Sequence, residues 1–212
     1  MSNEIEFPSE FLAAKARMTQ RYLAHEDPRL QSGFGGGAER WREERRPILD
    51  PIDRDGSLVD LGCANGYLLE CLVSWARERG IRLVPYGVDQ CEELIQLACE
   101  RLSEFASHFL AANVWSWLPP RRFTYVYTLA DVVPETHLQS YLRRLLARAV
   151  EPDGLLIVGS YGSHSRSLPP TDLESILPTY GLDVAGSTRA GPGDIVSVAW
   201  VAGVGQGSGS AR

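Results

Sequence analysis

Residues 58–67 read LVDLGCANGY, in which Asp60, Gly62 and Gly66 form a D-x-G-x-x-x-G pattern at the exit of an apolar run. Glycines at a strand-to-helix turn let the backbone approach a ligand closely, and the first turn of the following helix offers amide hydrogens without partners. Counted from Gly62, the dinucleotide fingerprint GxGxxG needs glycine where Ala64 and Tyr67 stand, so a pyrophosphate cradle is disfavoured. The Asp60 carboxylate points the same way, since it repels a diphosphate and attracts an amine or a sulfonium. Asp89 closes the next apolar run, YGVDQ, where a carboxylate accepts two hydrogen bonds from ribose hydroxyls. Asn113 closes the third run and is placed to address an adenine edge. Each residue also has a purely structural role to offer: Asp60 as a tie for its own loop, Asp89 as a strand-end cap, Asn113 as a turn residue.

These residues need a scaffold that brings strand ends together. From residue 57 onward β-type runs alternate with helical ones: strands at 57–63, 81–89, 108–113, 122–130 and 155–161, helices at 67–80, 91–105 and 134–150. EPDG at 151–154 reads as a turn. Such alternation predicts parallel strands joined by crossover helices. After a helix near 171–178, LDVAGSTRA and DIVSVAWVA around GPG read as an antiparallel hairpin. The expected fold is therefore α/β: a doubly wound, mostly parallel seven-stranded sheet with a C-terminal antiparallel hairpin. An N-terminal helical cap precedes it, with a helix over 9–25 capped by Ser9 and a short one over 38–49 interrupted by Pro47. Residues 1–50 read as a helical or lid segment, 51–203 as the binding domain and 204–212 as a disordered tail. Four glycines around Phe34, at 33 and 35–37, predict a mobile loop suited to closing over a site.

The chain has 212 residues, 44% of them hydrophobic and 23% charged, enough for one α/β domain with a substantial core. A net charge of −6 argues against a nucleic-acid binder. The arginine clusters at 40–46 and 143–148 read as solvated helix faces. No apolar run is long enough to span a bilayer, and the acidic N-terminus does not read as a secretion signal, so the expected location is cytoplasmic, without membrane partners. Cys63, Cys71, Cys91 and Cys99 match no zinc spacing, and no metal is expected. Trp41, Trp75 and Trp200 read as core, whereas Trp115 has adenine stacking and loop packing as competing roles.

Taken in order, LVDLGCANGYLL, YGVDQ, AANVW, FTYVYTLADVVP and EPDGLLIVGSY resemble the class I S-adenosylmethionine-dependent methyltransferases, in particular their compact bacterial small-molecule type. The resemblance spans about residues 38–202. It implies S-adenosylmethionine as cofactor and a small-molecule acceptor, in a monomer or homodimer. Asp60, Gly62, Cys63 and Gly66 would surround the methionine moiety, Asp89 would bind the ribose, Gln90 would touch ribose or adenine, and Asn113 and the Val114 amide would lie at the adenine. Leu129 and Ala130 would lie against the methionine end and open toward the acceptor. Two departures stand out: Ala64 occupies the place of a frequent glycine, and LADVVP lacks the NPPY-like sequence of enzymes that methylate planar amino groups.

Methyl transfer from a sulfonium needs a base only when the acceptor must lose a proton. Asp131, His137, Tyr161 and His164 lie near strand exits, and Asp131 and Tyr161 are the catalytic residues expected. A catalytically silent cofactor-binding or scaffold protein, and a nucleotide-dependent oxidoreductase, are the alternative readings.

Overall fold

The structure is a computed structural model and describes residues 7–203, so the expected tail at 204–212 lies outside the described residues. Two short helices come first: α1 (Ser9–Leu23) and α2 (Ala38–Arg45), the latter passing at Pro47 into a 3-10 turn, Arg46–Leu49. Ser9 begins α1 rather than capping it. Pro8 holds the cap position and no side chain caps the helix.

The remainder alternates as β1 (Gly56–Leu61), α3 (Tyr67–Glu78), β2 (Leu83–Asp89), α4 (Glu92–Arg101), β3 (Phe109–Ala111), β4 (Phe123–Leu129), α5 (Glu135–Arg148), β5 (Val150–Tyr161), α6 (Leu173–Thr179), β6 (Val184–Ala190) and β7 (Val196–Ala202). All seven strands form one sheet in the order β3-β2-β1-β4-β5-β7-β6. The pairs among β1 to β5 are parallel, and β7 enters antiparallel between β5 and β6.

Both faces of the central strands are covered, which is why they read as continuous apolar runs. Successive residues of β1 serve opposite cores: Leu58 packs in the cluster that holds Leu69 and Leu72 of α3, Val59 in the one that holds Leu138 and Leu142 of α5. Each buried leucine contributes about 1.5–3 kcal/mol through its apolar area. The consequence is a packed platform from whose centre the chain leaves β1 and β4 toward opposite faces, into α3 and α5.

EPDG is not a turn: residues 151–154 belong to the bulged start of β5. A Cβ at Gly154 would stand 2.5 Å from the Thr124 carbonyl, so its glycine reflects a close backbone approach at the bulge rather than a chain reversal. The helix expected over 91–105 ends at Arg101, and a 3-10 segment over Ser103–His108 replaces its last turns. Trp200 is half-buried rather than core, lying over Gly186. No helix among the described residues is long and apolar enough to cross a membrane.

Candidate functional site

In an open parallel sheet the strand order reverses where neighbouring strands leave in opposite directions, and ligands lie at the carboxyl ends there. Here that point is between β1 and β4. A cavity of about 550 Å³ opens above it. Its floor takes Asn113 from after β3, Asp89 and Gln90 from β2, Asp60 to Ala64 from β1, Leu129 and Asp131 from β4, and Tyr161 from β5, while α1 roofs it with Phe11, Lys15 and Tyr22. At roughly 4.8 Å per strand, the four spacings from β3 to β5 make a trough about 19 Å long.

The β1 turn is built to be rigid. Ala64 adopts φ +47° and Gly66 φ +72°, a region that costs a residue with a Cβ about 1–2 kcal/mol. Asp89 offsets the cost at Ala64 by accepting its amide at 3.0 Å, and its other oxygen accepts the Cys91 amide at 2.9 Å. The amides of Gly62 and Cys63 donate to Val88, Gly66 to Cys63, and Tyr67 to the Asn65 side chain. A turn whose amides are consumed in this way is a poor phosphate cradle, which agrees with the exclusion drawn from Ala64 and Tyr67.

Asp60 is 3% exposed, and its carboxylate makes no hydrogen bond or ion pair among the described residues. Burial, with the neighbouring Asp89 charge as the lesser cause, pushes its pKa up to about 8. Burial also raises Asp89, against the two amides that favour its ionised form. Without a partner, the ionised form of such a buried carboxylate is costly, which is why the proton is held. Cys63 is buried beside it, its thiol pushed up by the same desolvation.

No family model matches the sequence, and no curated protein matches it either. Solved structures do. One is a 1,6-didemethyltoxoflavin-N1-methyltransferase of Burkholderia thailandensis with bound 1,6-didemethyltoxoflavin and S-adenosylhomocysteine: TM-score 0.63 and 17% identity over 96% of this chain and 93% of that one. A second is the magnesium protoporphyrin IX methyltransferase of Synechocystis PCC 6803 with bound S-adenosylmethionine, at TM-score 0.58 and 15% identity over 89% and 95% of the two chains. A third is an S-adenosylmethionine-dependent methyltransferase from Aquifex aeolicus, with TM-score 0.58, 14% identity and coverages of 87% and 98%. The chain has the Rossmann-like methyltransferase fold.

Within this methyltransferase fold the structure gathers Asp60, Gly62, Cys63, Asp89, Gln90, Asn113, Val114, Leu129, Asp131 and Tyr161 around one cavity. Gly66 lies beneath, packed on Ala98 at the start of α3, and shapes the turn without lining the cavity. Asn113 takes the turn role, its Oδ1 accepting the Trp115 amide at 2.9 Å, and the residue also borders the cavity. Trp115 packs outside it, against Phe7, His137 and the Arg144 guanidinium. His137 shares that packing cluster and is away from the cavity, and the side chain of His164 is not among those described.

Tyr161 is held as a platform. Its hydroxyl lies 3.0 Å from that of Tyr127, and the Arg45 guanidinium covers its ring at 3.6 Å. Desolvation raises both phenols. Asp131 borders the cavity at the exit of β4, exposed, and its charge acts on Tyr22, whose hydroxyl burial pushes up to about 12.

Three features are not anticipated by the sequence pattern. Phe34 is no loop tip: it is 5% exposed and packs edge-on against Trp41. Asn65 is fully buried, donates to the Pro28 carbonyl and Gln31 Oε1, and accepts from Ser32 Oγ and the Tyr67 amide. It therefore staples the N-terminal segment to the β1 turn with all its hydrogen-bonding capacity engaged. Arg45 contradicts the reading of residues 40–46 as a solvated face, since it is buried and borders the cavity. Its signal was the composition around it, because Phe34 and Trp41 supply aromatic faces that a guanidinium covers.

Proposed function

We propose that the chain is an S-adenosylmethionine-dependent methyltransferase acting on a small molecule. The observation that carries this reading is Asp60, a buried carboxylate without a partner among the described residues at the end of β1, in a turn whose Gly62, Cys63, Ala64, Gly66 and Tyr67 amides are already engaged. That donor set suits a cofactor bearing an ammonium and a sulfonium. Asp89, with one lone pair on each oxygen still open beyond its two amide bonds, suits ribose hydroxyls, and Gln90 extends that rim. Asn113 Nδ2 and the Val114 amide are assigned to the adenine edge, Gly62 and Cys63 to the methionine stem, and Leu129 to the wall beside the reacting centre.

The cofactor would supply an activated methyl group that leaves its sulfur without acid catalysis. The protein's part is then placement and exclusion of water. The α1 roof and the apolar wall of Leu129 and Val132 keep water out, and Asp131 is the residue assigned to accept a proton from a hydroxyl acceptor. Tyr161 is assigned to orientation, because its hydroxyl is engaged by Tyr127 and its phenol is held protonated. A cofactor-binding protein without catalysis is the second reading, favoured by the fact that Asp131 has no partner among the described residues to orient it as a base.

Isothermal titration with S-adenosylmethionine, S-adenosylhomocysteine and NAD tests the cofactor. Binding of both sulfur compounds and not of NAD is expected, and binding of neither refutes the proposal. Methyl transfer across a panel of small acceptors then separates the enzyme from the silent binder.

A further inference from the structure

The trough has a second charged end, which the cofactor assignment leaves unused. Asp89 and Asn113 mark the β2 and β3 end and Asp60 the middle, so the β4 and β5 end is where an acceptor would lie. That end is formed by Tyr161, by Gly162 and the exposed Arg166 beyond β5, and by the buried Arg45, which reaches over it from the last turn of α2. Arg45 is 8% exposed, and its guanidinium stacks on Tyr161 at 3.6 Å and approaches Phe34 and Trp41 at 4.9 and 5.0 Å. Stacking occupies the faces of the cation and leaves its in-plane N–H donors unspent.

Those donors are poorly matched within the protein. The one side-chain acceptor of Arg45 among the described residues is Glu44 at 3.5 Å, and Glu44 is bonded more closely to Arg40, at 2.5 Å. Two guanidinium groups thus share one buried carboxylate, and the triad keeps one positive charge. A buried cation with open donors on a cavity wall calls for an anion. The aromatic surroundings, Trp41, Tyr127 and Tyr161 among the lining residues, call for a flat apolar body attached to it.

We propose that Arg45 receives a carboxylate of the methyl acceptor, and that the acceptor class is an aromatic carboxylic acid. The inference rests on the methyltransferase reading for what happens to the acid, although binding of the acid does not depend on catalysis. A carboxylate also occurs on the cofactor's own amino-acid end. Arg45 is assigned to the acceptor because the strand it stacks on is β5, two strands from Asp60, and because the Glu44 stem beside it packs near Gly191 in the β6–β7 turn.

The test uses the full chain saturated with S-adenosylhomocysteine and titrated with benzoate, salicylate and anthranilate, each paired with its carboxamide. The acids are expected to bind at least tenfold more tightly than the amides. Arg45→Met should remove that preference, and Arg45→Lys should restore part of it. Acids and amides binding alike, no binding of any acid, or an undiminished preference in Arg45→Met overturns the proposal. Titration of Arg45→Met with S-adenosylhomocysteine and with methylthioadenosine, which lacks the amino-acid end, tests the other source and reports folding. Similar affinities to the unsubstituted protein for both are expected. A loss confined to S-adenosylhomocysteine would assign Arg45 to the cofactor and overturn the proposal, whereas failure of the unsubstituted chain to bind either compound counts against the methyltransferase reading instead.

Discussion

Replacing Asp60 by asparagine should make the ligand-free protein more stable and the cofactor site worse. With its pKa raised from 3.8 to about 8 by burial and by Asp89, the folded protein holds a proton that the unfolded chain has released across that whole interval. Stability therefore falls as pH rises from about 4 to about 8, at up to 1.4 kcal/mol per pH unit, and levels off above it. Summed over the interval, the ionised carboxylate costs the fold on the order of 5 kcal/mol, an upper bound because water entering the cavity relieves part of it. An asparagine side chain has nearly the same shape and no charge, so Asp60→Asn should raise the melting temperature at pH 8 and leave it almost unchanged at pH 4.

The same proton governs binding. An ammonium or sulfonium beside Asp60 requires the ionised carboxylate, so binding below about pH 8 must expel a proton, and affinity should climb roughly tenfold per pH unit from about pH 6 until it levels near pH 8. Titration calorimetry with S-adenosylmethionine, which carries both cations, in two buffers of different ionisation enthalpy counts that proton directly. About one should be released near pH 6.5 in the unsubstituted protein and none from this site in Asp60→Asn. An affinity that is flat from pH 6 to 8, or a slope that survives in Asp60→Asn, would refute the assignment of Asp60 to the cofactor's cation.

Three further substitutions probe the scaffold. Asp89→Ala removes the acceptor for the Ala64 and Cys91 amides and should cost about 1–3 kcal/mol in chemical denaturation; it should also weaken S-adenosylhomocysteine at least tenfold, and an unchanged affinity would exclude the ribose role. Gly66→Ala places a Cβ 2.9 Å from that of Ala98 at φ +72° and should lower stability by about 1–3 kcal/mol, read from the urea midpoint. Phe34→Ala removes a buried ring from Trp41 and Arg45. It should speed proteolysis at residues 35–37, and a cleavage rate equal to that of the parent protein would mean that the ring does not anchor the loop.

The sheet was legible because its signals are local. Apolar runs of strand length between helical ones announce crossovers wherever they occur, and Asp60, Gly62 and Gly66 lie within seven residues whose spacing already departs from that of a dinucleotide turn. Errors fell where a residue type has two physical uses. Gly154 reads as a turn but is needed for close packing on Thr124, and Trp200 covers the bare backbone of Gly186 on the sheet surface instead of entering the core.

The acceptor end was illegible for a different reason. Arg45 precedes Tyr161 by 116 positions, and only the sheet order that puts β5 two places from β1 makes them neighbours. Within AERWREERR helical phase does single out Arg45, four positions after the buried Trp41, but the strand that this helix face meets is set by docking and not by the local sequence. Asn65 has the same character: its type fits a turn, but its buried bonds to Pro28, Gln31 and Ser32 depend on where the N-terminal segment docks. On the proposed assignment the cofactor end is set by strand-end chemistry repeated along the sheet, and acceptor recognition by the helix that carries Arg45. On that view exchanging α2 alone between proteins of this fold should move acceptor preference and leave cofactor affinity in place, since Asp60 and Asp89 are held from the sheet side.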